Sequence, residues 1–223
     1  MSNDRPSGPT PRTTLRRGKD RAEYRADEIR SILEAGVVAH VGVNTDDGPI
    51  VLPMAYGIRD DEILIHGAIA NAMMRAGRTL DVCLTMTIVD GLVVARTPFH
   101  NSMNYRSVVV RGTATAIDDP TDKAAALKVI NDHIAPLWDT ARTPSDTDFR
   151  KTLVLSVPLR EASAKVRAGG PIDEEIDMNG PHWAGVVPLT TKWGNPEPAA
   201  DLRGSPTVPK SVAKLSGKNA HRS

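Results

Sequence analysis

The sequence predicts a mainly β protein, built as an antiparallel barrel with a few flanking helices. The prediction rests on several short β-branched runs separated by turn residues, and on the small number of helical patterns. The runs Leu92-Val93-Val94 and Val108-Val109 are apolar at every position. Because successive side chains of a strand point to opposite faces of the sheet, both faces are expected to be covered. The barrel interior would cover one face, and a helix or a second copy of the chain would cover the other.

The first half of the chain is predicted to contain a short helix followed by paired strands. The helix is expected over about Arg25–Ala35, because its apolar residues share one face, and Gly36 is expected to end it. The segment Asn71–Arg78 contains Ala and Met residues and favours a second helix. The predicted strands are Val37–Val43 and, as a hairpin around Asp60-Asp61, Ile50–Arg59 and Glu62–His66.

The second half is predicted to contain longer strands and one more helix. Gly91 is expected to form a tight turn between two strands. Asp119 followed by Pro120 predicts the start of a helix, since the pair supplies an N-cap and a proline in the first turn. The apolar stripe of this helix extends from Leu127 to Leu137. The predicted strands are Asp81–Asp90, Leu92–Ala95, Tyr105–Ile117 (the longest), Leu153–Pro158 and Ala184–Pro188.

A single domain is expected over residues 15–194, between two tails. Residues 1–14 are rich in Pro, Ser and Thr, and residues 195–223 are rich in Pro, Gly, Ser and Lys, so both are predicted to be disordered. Residues 1–25 carry seven Lys or Arg against three Asp or Glu, and residues 203–223 carry five against none, although the net charge is only +1. The domain itself is therefore acidic. This argues against a nucleic-acid partner, because nucleic-acid-binding domains carry their basic surface on the fold.

The composition also limits the kind of site and the compartment. The single cysteine, Cys83, excludes an internal disulfide and a zinc site built from cysteines, and its apolar neighbours predict a buried thiol. The histidines are scattered without the spacing of a metal site, so no bound metal is expected. No apolar run is long enough to cross a bilayer and none reads as a secretion signal. A cytoplasmic protein without a membrane partner is therefore predicted.

Two parts of the chain carry most of the chemical information. The first, Phe99–Gly112, places imidazole, amide, hydroxyl and guanidinium groups directly before a β-branched strand. Such donors at the mouth of a rigid sheet suit a phosphate or the edge of a flavin. The second part comprises Val51–Gly57 and Ile63–Ala68. Within it, Pro53 marks a sheet edge or a bulge, and Gly67 allows a flat ring or another backbone to approach closely.

These motifs resemble the pyridoxamine 5'-phosphate oxidase-like flavoproteins, the split barrels that bind flavin mononucleotide (FMN). The resemblance includes the branch of nitroimidazole-resistance reductases and covers about residues 14–193. It implies an antiparallel split β-barrel, a bound FMN and a homodimer. The matching segments are SMNYRSVVV at 102–110, LPMAYG at 52–57 and ILIHGA at 63–68, with further matches at 82–87, 90–93, 165–167 and 183–189.

An FMN site needs cations and donors for the phosphate, an apolar slot for the ring, and hydrogen bonds for the pyrimidine edge. The resemblance assigns these roles to residues of the matching motifs. The expected phosphate contacts are Asn71, Arg75, Ser102, Arg106 and Ser107; the ring contacts are Met54, Tyr56, Gly67 and Ala68; the edge contacts are His66, Thr85 and Thr87. Tyr105 is a further binding candidate, although an aromatic residue at this place more often belongs to a core or a dimer contact.

The chain departs from the family pattern at the phosphate site. Relatives carry Ser-Arg where this chain has Asn71-Ala72. The missing guanidinium would remove a charge-assisted contact worth ~1.5–3 kcal/mol. Arg75 or Arg78, about one turn along the predicted helix, is the expected replacement. The alternatives are a different ligand or a site that has lost its flavin.

The leading hypothesis is an FMN-dependent oxidoreductase that passes electrons from a nicotinamide or deazaflavin donor to a small-molecule acceptor. The flavin supplies the hydride chemistry, so no catalytic side chain is required, and His66 is the candidate contact to the substrate. The alternative is a non-catalytic split barrel that binds flavin, a deazaflavin, or haem held by His66 or His100. A dimeric scaffold with a degenerate pocket is the third hypothesis.

Overall fold

The computed structural model describes residues 9–68 and 79–221, and this part of the chain contains four helices and ten strands. The helices are α1 (Ala26–Ala35), α2 (Pro120–Asn131), α3 (Asp146–Lys151) and α4 (Lys210–Ala213). The strands are β1 (Ala22–Glu23), β2 (Ala39–Thr45), β3 (Gly48–Met54), β4 (Tyr56–Arg59), β5 (Glu62–Ala68), β6 (Thr79–Val94), β7 (Ser102–Ala116), β8 (Thr152–Pro158), β9 (Glu161–Arg167) and β10 (Gly185–Pro188).

All strand pairs are antiparallel, and seven strands follow the path β3-β2-β6-β7-β8-β5-β4. β9 pairs with β7 and β1, and β10 pairs with β6. β3 and β4 lie at opposite ends of the path, yet only Ala55 separates them in the chain. Because consecutive Cα atoms are about 3.8 Å apart, the two ends of the sheet must lie close together. The sheet therefore curls round without closing, and the predicted antiparallel split β-barrel is confirmed.

The interior of the barrel contains the main hydrophobic core. Along β6, Val82, Leu84, Met86 and Ile88 are buried at alternate positions, as expected for a strand with one face on the core. α1 contributes Leu33 and neighbouring apolar residues to the same cluster and packs against β7 and β9. Burial of this apolar surface is the main force that holds the barrel together.

A second, smaller core lies between α2 and the strands β4, β5 and β8. Gly57 of β4 determines how closely the helix approaches, since a Cβ added there would lie 2.8 Å from the N and Cα atoms of Ile130. The end of α2 is therefore held directly against the sheet. The buried members of this core are Leu64, Ile117, Ala126, Ile130 and Val154.

Two predicted strands have the wrong limits. The predicted strand Ile50–Arg59 is two strands, because the chain leaves β3 at Ala55 and joins the other end of the sheet. Gly91 is not a turn but lies within β6, where the pairing with β7 shifts between Val89 and Gly91. A Cβ at Gly91 would lie 2.8 Å from the carbonyl oxygen of Val187. This glycine therefore makes room for β10.

The predicted helices differ from the structure mainly at their ends. Gly36 follows α1 as predicted, but with φ −80°, so a left-handed turn is not the reason for this glycine. A Cβ there would lie 2.5 Å from Sδ of Met86, which shows that close packing requires it. α2 begins at Pro120 as predicted but ends at Asn131, so Leu137 lies beyond the helix. The predicted helix over 71–78 lies outside the described residues.

The segment that the sequence assigns to a C-terminal tail folds back on itself and reaches α1. Trp193 and residues near Lys218 exchange backbone hydrogen bonds, from Trp193 N to Lys218 O (3.0 Å) and from Gly217 N to Trp193 O (2.9 Å). The ring of His221 donates from Nδ1 to the carbonyl of Ala35 (3.2 Å). The predicted domain limits at residues 15 and 194 stay predictions. None of the described helices is long and apolar enough to span a membrane.

Candidate functional site

A cavity of about 330 Å³ lies beside the ends of β5 and α2. This volume falls within the range of about 300–1,000 Å³ that is typical of small-molecule sites. Most of the lining is apolar, and its polar members are the imidazole of His66, the carboxylate of Asp148, Asn131 and Thr152. The apolar lining comes from Leu127, Ile130, Ile134, Trp138 and Phe149.

β5 places His66 on the helix-covered side of the sheet. The strand is buried on both faces, because Ile63 and Ile65 point into the barrel core, whereas Leu64 belongs to the core under α2. Since side chains alternate along a strand, His66 shares the face of Leu64. Its backbone pairs with Val154 on β8, which fixes the position of the ring along the strand.

The imidazole of His66 has an unsatisfied nitrogen. Its Nδ1 atom is buried and has no hydrogen-bond partner among the described residues. Burial lowers the pKa of His66, so the ring is neutral at neutral pH. Buried polar atoms are nearly always hydrogen-bonded, and an exception calls for an explanation such as a bound group. A neutral imidazole with a free lone pair is a common metal ligand.

Among the described residues, His100 is the second histidine with a buried ring nitrogen that has no hydrogen-bond partner. As in His66, this atom is Nδ1. Its surroundings are charged rather than apolar. Nε2 of His100 lies 3.9 Å from Oε1 of Glu174. The nearby carboxylate of Asp173 is 1% exposed and forms a 2.7 Å ion pair with Arg96. Of the two histidines that the sequence proposes as haem ligands, His66 therefore has the more apolar surroundings, although the carboxylate of Asp148 also lines its cavity.

Three predicted flavin contacts on β6 and β7, Thr85, Thr87 and Ser107, lie on the outer face of the sheet. Thr87 pairs with Ser107, and Thr85 lies one outward position further along β6. The Thr85 hydroxyl donates to the carbonyl of Val108 (3.1 Å), and the Ser107 hydroxyl donates to that of Lys165 (3.2 Å). The hydroxyl hydrogens of Thr85 and Ser107 are therefore used within the sheet itself.

Two further predicted contacts have structural partners. The guanidinium of Arg106 donates to both carboxylate oxygens of Asp90, from Nε to Oδ2 (3.0 Å) and from Nη2 to Oδ1 (2.9 Å). The Tyr56 ring is 1% exposed within the main core, and its hydroxyl donates to the carbonyl of Leu33. Burial raises the pKa of this hydroxyl. Arg106 braces the bulge of β6, and Tyr56 fills the core.

The remaining predicted residues are spread over the sheet. Met54 packs against the main core, and Gly67 and Ala68 pair with β8 at the end of β5. Ser102 begins β7, and Tyr105 lies opposite Val89 on the outer face. The predicted phosphate contacts Asn71 and Arg75, like Ala72 and Arg78, lie outside the described residues. Of the predicted flavin contacts among the described residues, His66 is the one that lines the cavity described above.

The predicted buried thiol is wrong. Cys83 is exposed, because it takes an outward position on β6 between the buried residues Val82 and Leu84. Its apolar neighbours in the sequence point to the other face of the sheet. No group of three or more His, Cys, Asp or Glu that could hold a metal ion occurs in residues 9–68 and 79–221.

Comparisons with known proteins identify the family. The model of the pyridoxamine 5'-phosphate oxidase family matches residues 25–166. The chain is also similar to the flavocytochrome from Azotobacter vinelandii, with 34% identity and a TM-score of 0.89 over 96% of this chain and 100% of the other. The chain belongs to the pyridoxamine 5'-phosphate oxidase family. The resemblance seen in the sequence motifs is thereby confirmed.

Two further solved structures are similar to this chain. The FAD and haem binding protein from Mycobacterium smegmatis is 29% identical, with a TM-score of 0.84 over 91% of this chain and 100% of the other. A candidate 5-nitroimidazole antibiotic resistance protein from Bacteroides thetaiotaomicron is 25% identical, with a TM-score of 0.54 over 65% of this chain and 86% of the other. No curated protein sequence matches the chain.

Proposed function

We propose that this protein binds haem in the His66 cavity and also binds a flavin, and that it passes electrons from the flavin to a small-molecule acceptor. The observation that carries the proposal is that the side chain of His66 lines a mostly apolar cavity, while its Nδ1 has no hydrogen-bond partner among the described residues. The similarity to a flavocytochrome at 34% identity and to a FAD and haem binding protein at 29% identity supports it.

The residues around the cavity fit a haem. A bound haem supplies one-electron chemistry. His66 provides a neutral imidazole for the iron, and the lowered pKa keeps that imidazole unprotonated at neutral pH. The apolar side chains of Trp138, Phe149 and Ile130 line the cavity and would lie beside a bound haem. An apolar surrounding of this kind controls solvent access and redox potential in metal sites.

The flavin part of the proposal rests on the family and on the two haem-containing relatives. We propose FMN or FAD, with Thr85 and Thr87 near the ring edge and with phosphate contacts from Asn71 and Arg75. Arg106 is a weaker phosphate contact than the sequence motif suggests, because its guanidinium is engaged by Asp90.

A homodimer is part of the same proposal. Leu92 pairs with Val187 on β10 and with Met103 on β7, so the three side chains form a row across the sheet. They are 45%, 51% and 48% exposed in a single chain. A second copy of the chain would bury this apolar row. The Leu92→Glu variant is expected to be monomeric in sedimentation, whereas Val208→Glu, at a residue of similar exposure, is expected to stay dimeric. A monomeric wild-type protein would contradict the dimer.

The proposal is tested by the absorption spectrum of the purified protein and by titrations with FMN, FAD and haem. We expect saturable binding of haem and of one of the two flavins, with a flavin band and a Soret band in the loaded protein. Reduction of the flavin under anaerobic conditions is then expected to reduce the haem. A protein that binds neither group would overturn the proposal. Cell fractionation tests the cytoplasmic location that we propose with it.

A second candidate function is a flavin-dependent reductase of nitro compounds, without haem. The cavity beside His66 supports it, because a small aromatic substrate would fit there and contact the imidazole. The 25% identity to a candidate 5-nitroimidazole resistance protein points the same way. Turnover of a nitroimidazole by flavin-loaded, haem-free protein with a nicotinamide or deazaflavin donor would favour this function. Loss of that turnover in His66→Ala would place the substrate at the cavity.

A further inference from the structure

The connection between α2 and α3, residues 132–145, forms part of the cavity wall. We name it the roof segment. It contributes Ile134, Trp138 and Pro144 to the cavity lining. Apart from a single 3-10 turn at Trp138–Thr140, the roof segment has no regular secondary structure. Its position over the cavity therefore depends on side-chain contacts rather than on a helix or a strand.

The carboxylate of Asp132 makes the central contacts. Its Oδ1 atom accepts hydrogen bonds from the backbone N–H groups of Leu137 (2.8 Å) and Trp138 (2.7 Å). Its Oδ2 atom accepts one from Nζ of Lys128 on α2 (3.0 Å). One side chain thus ties the base of the roof segment both to α2 and to the backbone that carries the Trp138 indole.

The protonation state of Asp132 suits this role. Burial alone would raise the pKa of Asp132, but the N–H groups of Trp138 and Leu137 and the ammonium of Lys128 outweigh it and hold the pKa below its usual range. The carboxylate is therefore ionised at neutral pH. Hydrogen bonds to an ionised acceptor are about twice as strong as those between neutral groups.

We propose that Asp132 is the positioning residue that holds Trp138 over the cavity, and that it thereby sets how long the bound haem is retained. The inference rests on the proposed haem site at His66. It adds a residue that does not line the cavity and that acts through the roof segment. Without the carboxylate, the backbone N–H groups at 137 and 138 lose their acceptor, and the turn that presents the indole opens.

The test is the rate at which haem leaves the loaded protein for an excess of haem-free globin. Asp132→Ala is expected to release haem about tenfold faster than the wild type, because charge-assisted hydrogen bonds are lost. Asp132→Asn keeps a neutral acceptor oxygen and is expected to release haem only about two- to threefold faster. If Asp132→Ala does not fold, the Asn variant decides, since it preserves the shape of the side chain.

Asp139→Asn is the matched control. Asp139 also binds Nζ of Lys128 (2.8 Å), but its side chain is 83% exposed and it is not the acceptor for the N–H groups of Leu137 and Trp138. The variant removes the same kind of charge from the same lysine. Its haem release is expected to equal that of the wild type within about twofold. Faster release from Asp139→Asn than from Asp132→Asn would overturn the inference.

A double-mutant cycle with Trp138→Ala separates positioning from general loss of stability. If Asp132 acts through the indole, Asp132→Ala is expected to have little further effect on haem release once Trp138 is alanine. Additive effects of the two variants would overturn the inference, as would wild-type release rates in Asp132→Ala. A wild-type protein that binds no haem would instead overturn the proposed function, so the two failures are distinguishable.

Discussion

The cavity beside His66 and the strands β6 and β7 both carry residues that are expected to hold a cofactor. Their polar groups differ in whether they have hydrogen-bond partners in the protein. Along β6 and β7, the hydroxyls of Thr85 and Ser107 on the outer face and the guanidinium of Arg106 opposite Ile88 all have partners within the sheet. At the cavity, Nδ1 of His66 is buried without a partner among the described residues. A buried polar atom without a hydrogen bond costs about 1–3 kcal/mol.

This difference in hydrogen bonding indicates that a bound group would stabilise the His66 cavity more than it would stabilise β6 and β7. Side chains with satisfied hydrogen bonds are stable without a ligand, whereas a metal bound by His66, as proposed, would give this side chain an interaction that it lacks. The flavin contacts of this chain are therefore expected to depend on residues 69–78 or on a second copy. The proposed haem contact depends on one described side chain, that of His66.

The largest expected effect is that of His66→Ala on haem binding. Loss of the iron ligand is expected to weaken haem affinity at least about 100-fold, because even indirect partners of metal ligands are worth 10–100-fold. Flavin affinity is expected to change less than about twofold, since the outer face is untouched. Haem and flavin titrations of the same preparation provide the measurement. His100→Ala is the control, and a loss of haem in that variant alone would assign the haem to His100.

The next prediction tests whether the close packing of α2 against Gly57 maintains the wall of the cavity. Gly57→Ala places a methyl group 2.8 Å from backbone atoms of Ile130. Overpacking of this kind is expected to lower the free energy of unfolding by about 1–3 kcal/mol and to displace α2 from the cavity. Urea denaturation and haem titration measure the two consequences.

Gly112→Ala is the matched control for Gly57→Ala. Its nearest neighbour would be Cγ1 of Val157 at 3.6 Å, an ordinary contact, and Gly112 lies on a long strand away from α2. Its unfolding free energy is expected to stay within about 1 kcal/mol of the wild type. Equal destabilisation by the two variants would contradict the account of α2.

A smaller effect tests whether Arg106 is structural. Arg106→Ala and Asp90→Ala are each expected to lower the free energy of unfolding by about 1 kcal/mol, since the pair is partly exposed. Flavin affinity is expected to change by less than about threefold in both variants. A selective and large loss of flavin binding in Arg106→Ala, with no change in Asp90→Ala, would show that this arginine binds the phosphate after all.

The smallest effect concerns pH. Burial lowers the pKa of His66 in the folded protein, so as the pH falls below the ordinary histidine value of about 6.5 the unfolded chain takes up a proton that the folded protein resists. Haem-free wild type is therefore expected to lose more stability between about pH 7.5 and 5.5 than His66→Gln. Urea denaturation at both pH values measures the difference. An identical pH dependence would show that His66 is not desolvated.

The sequence predicted the fold well where the pattern is local. The helix after Asp119-Pro120 begins where the cap predicts, and the side chain of Asp119 accepts from Asp122 N (2.8 Å). The strand pattern and the family motifs correctly indicated an antiparallel split barrel. The limits of β3, β4 and β6 could not be predicted, because they depend on which strands meet in space. Ala55 separates β3 from β4, and Gly91 is at the register shift of β6, but both features are recognised only in the assembled sheet.

The candidate site was predicted in part. The motif around His66 is visible in the sequence, but its environment is not, because the cavity is formed by residues between Ala55 and Thr152. Trp138 was missed as a cavity residue, since the apolar stripe of α2 was expected to continue to Leu137. The signal was Asp132, whose carboxylate can bind backbone N–H groups and so end the helix.

The measurement that tests the central claim most directly is the absorption spectrum of haem-loaded His66→Gly with and without added imidazole. If His66 is the iron ligand, the variant is expected to lose the Soret band of the wild type, and free imidazole is expected to restore it by filling the space of the missing side chain. A wild-type spectrum in His66→Gly without imidazole would contradict the assignment of this cavity as the haem site.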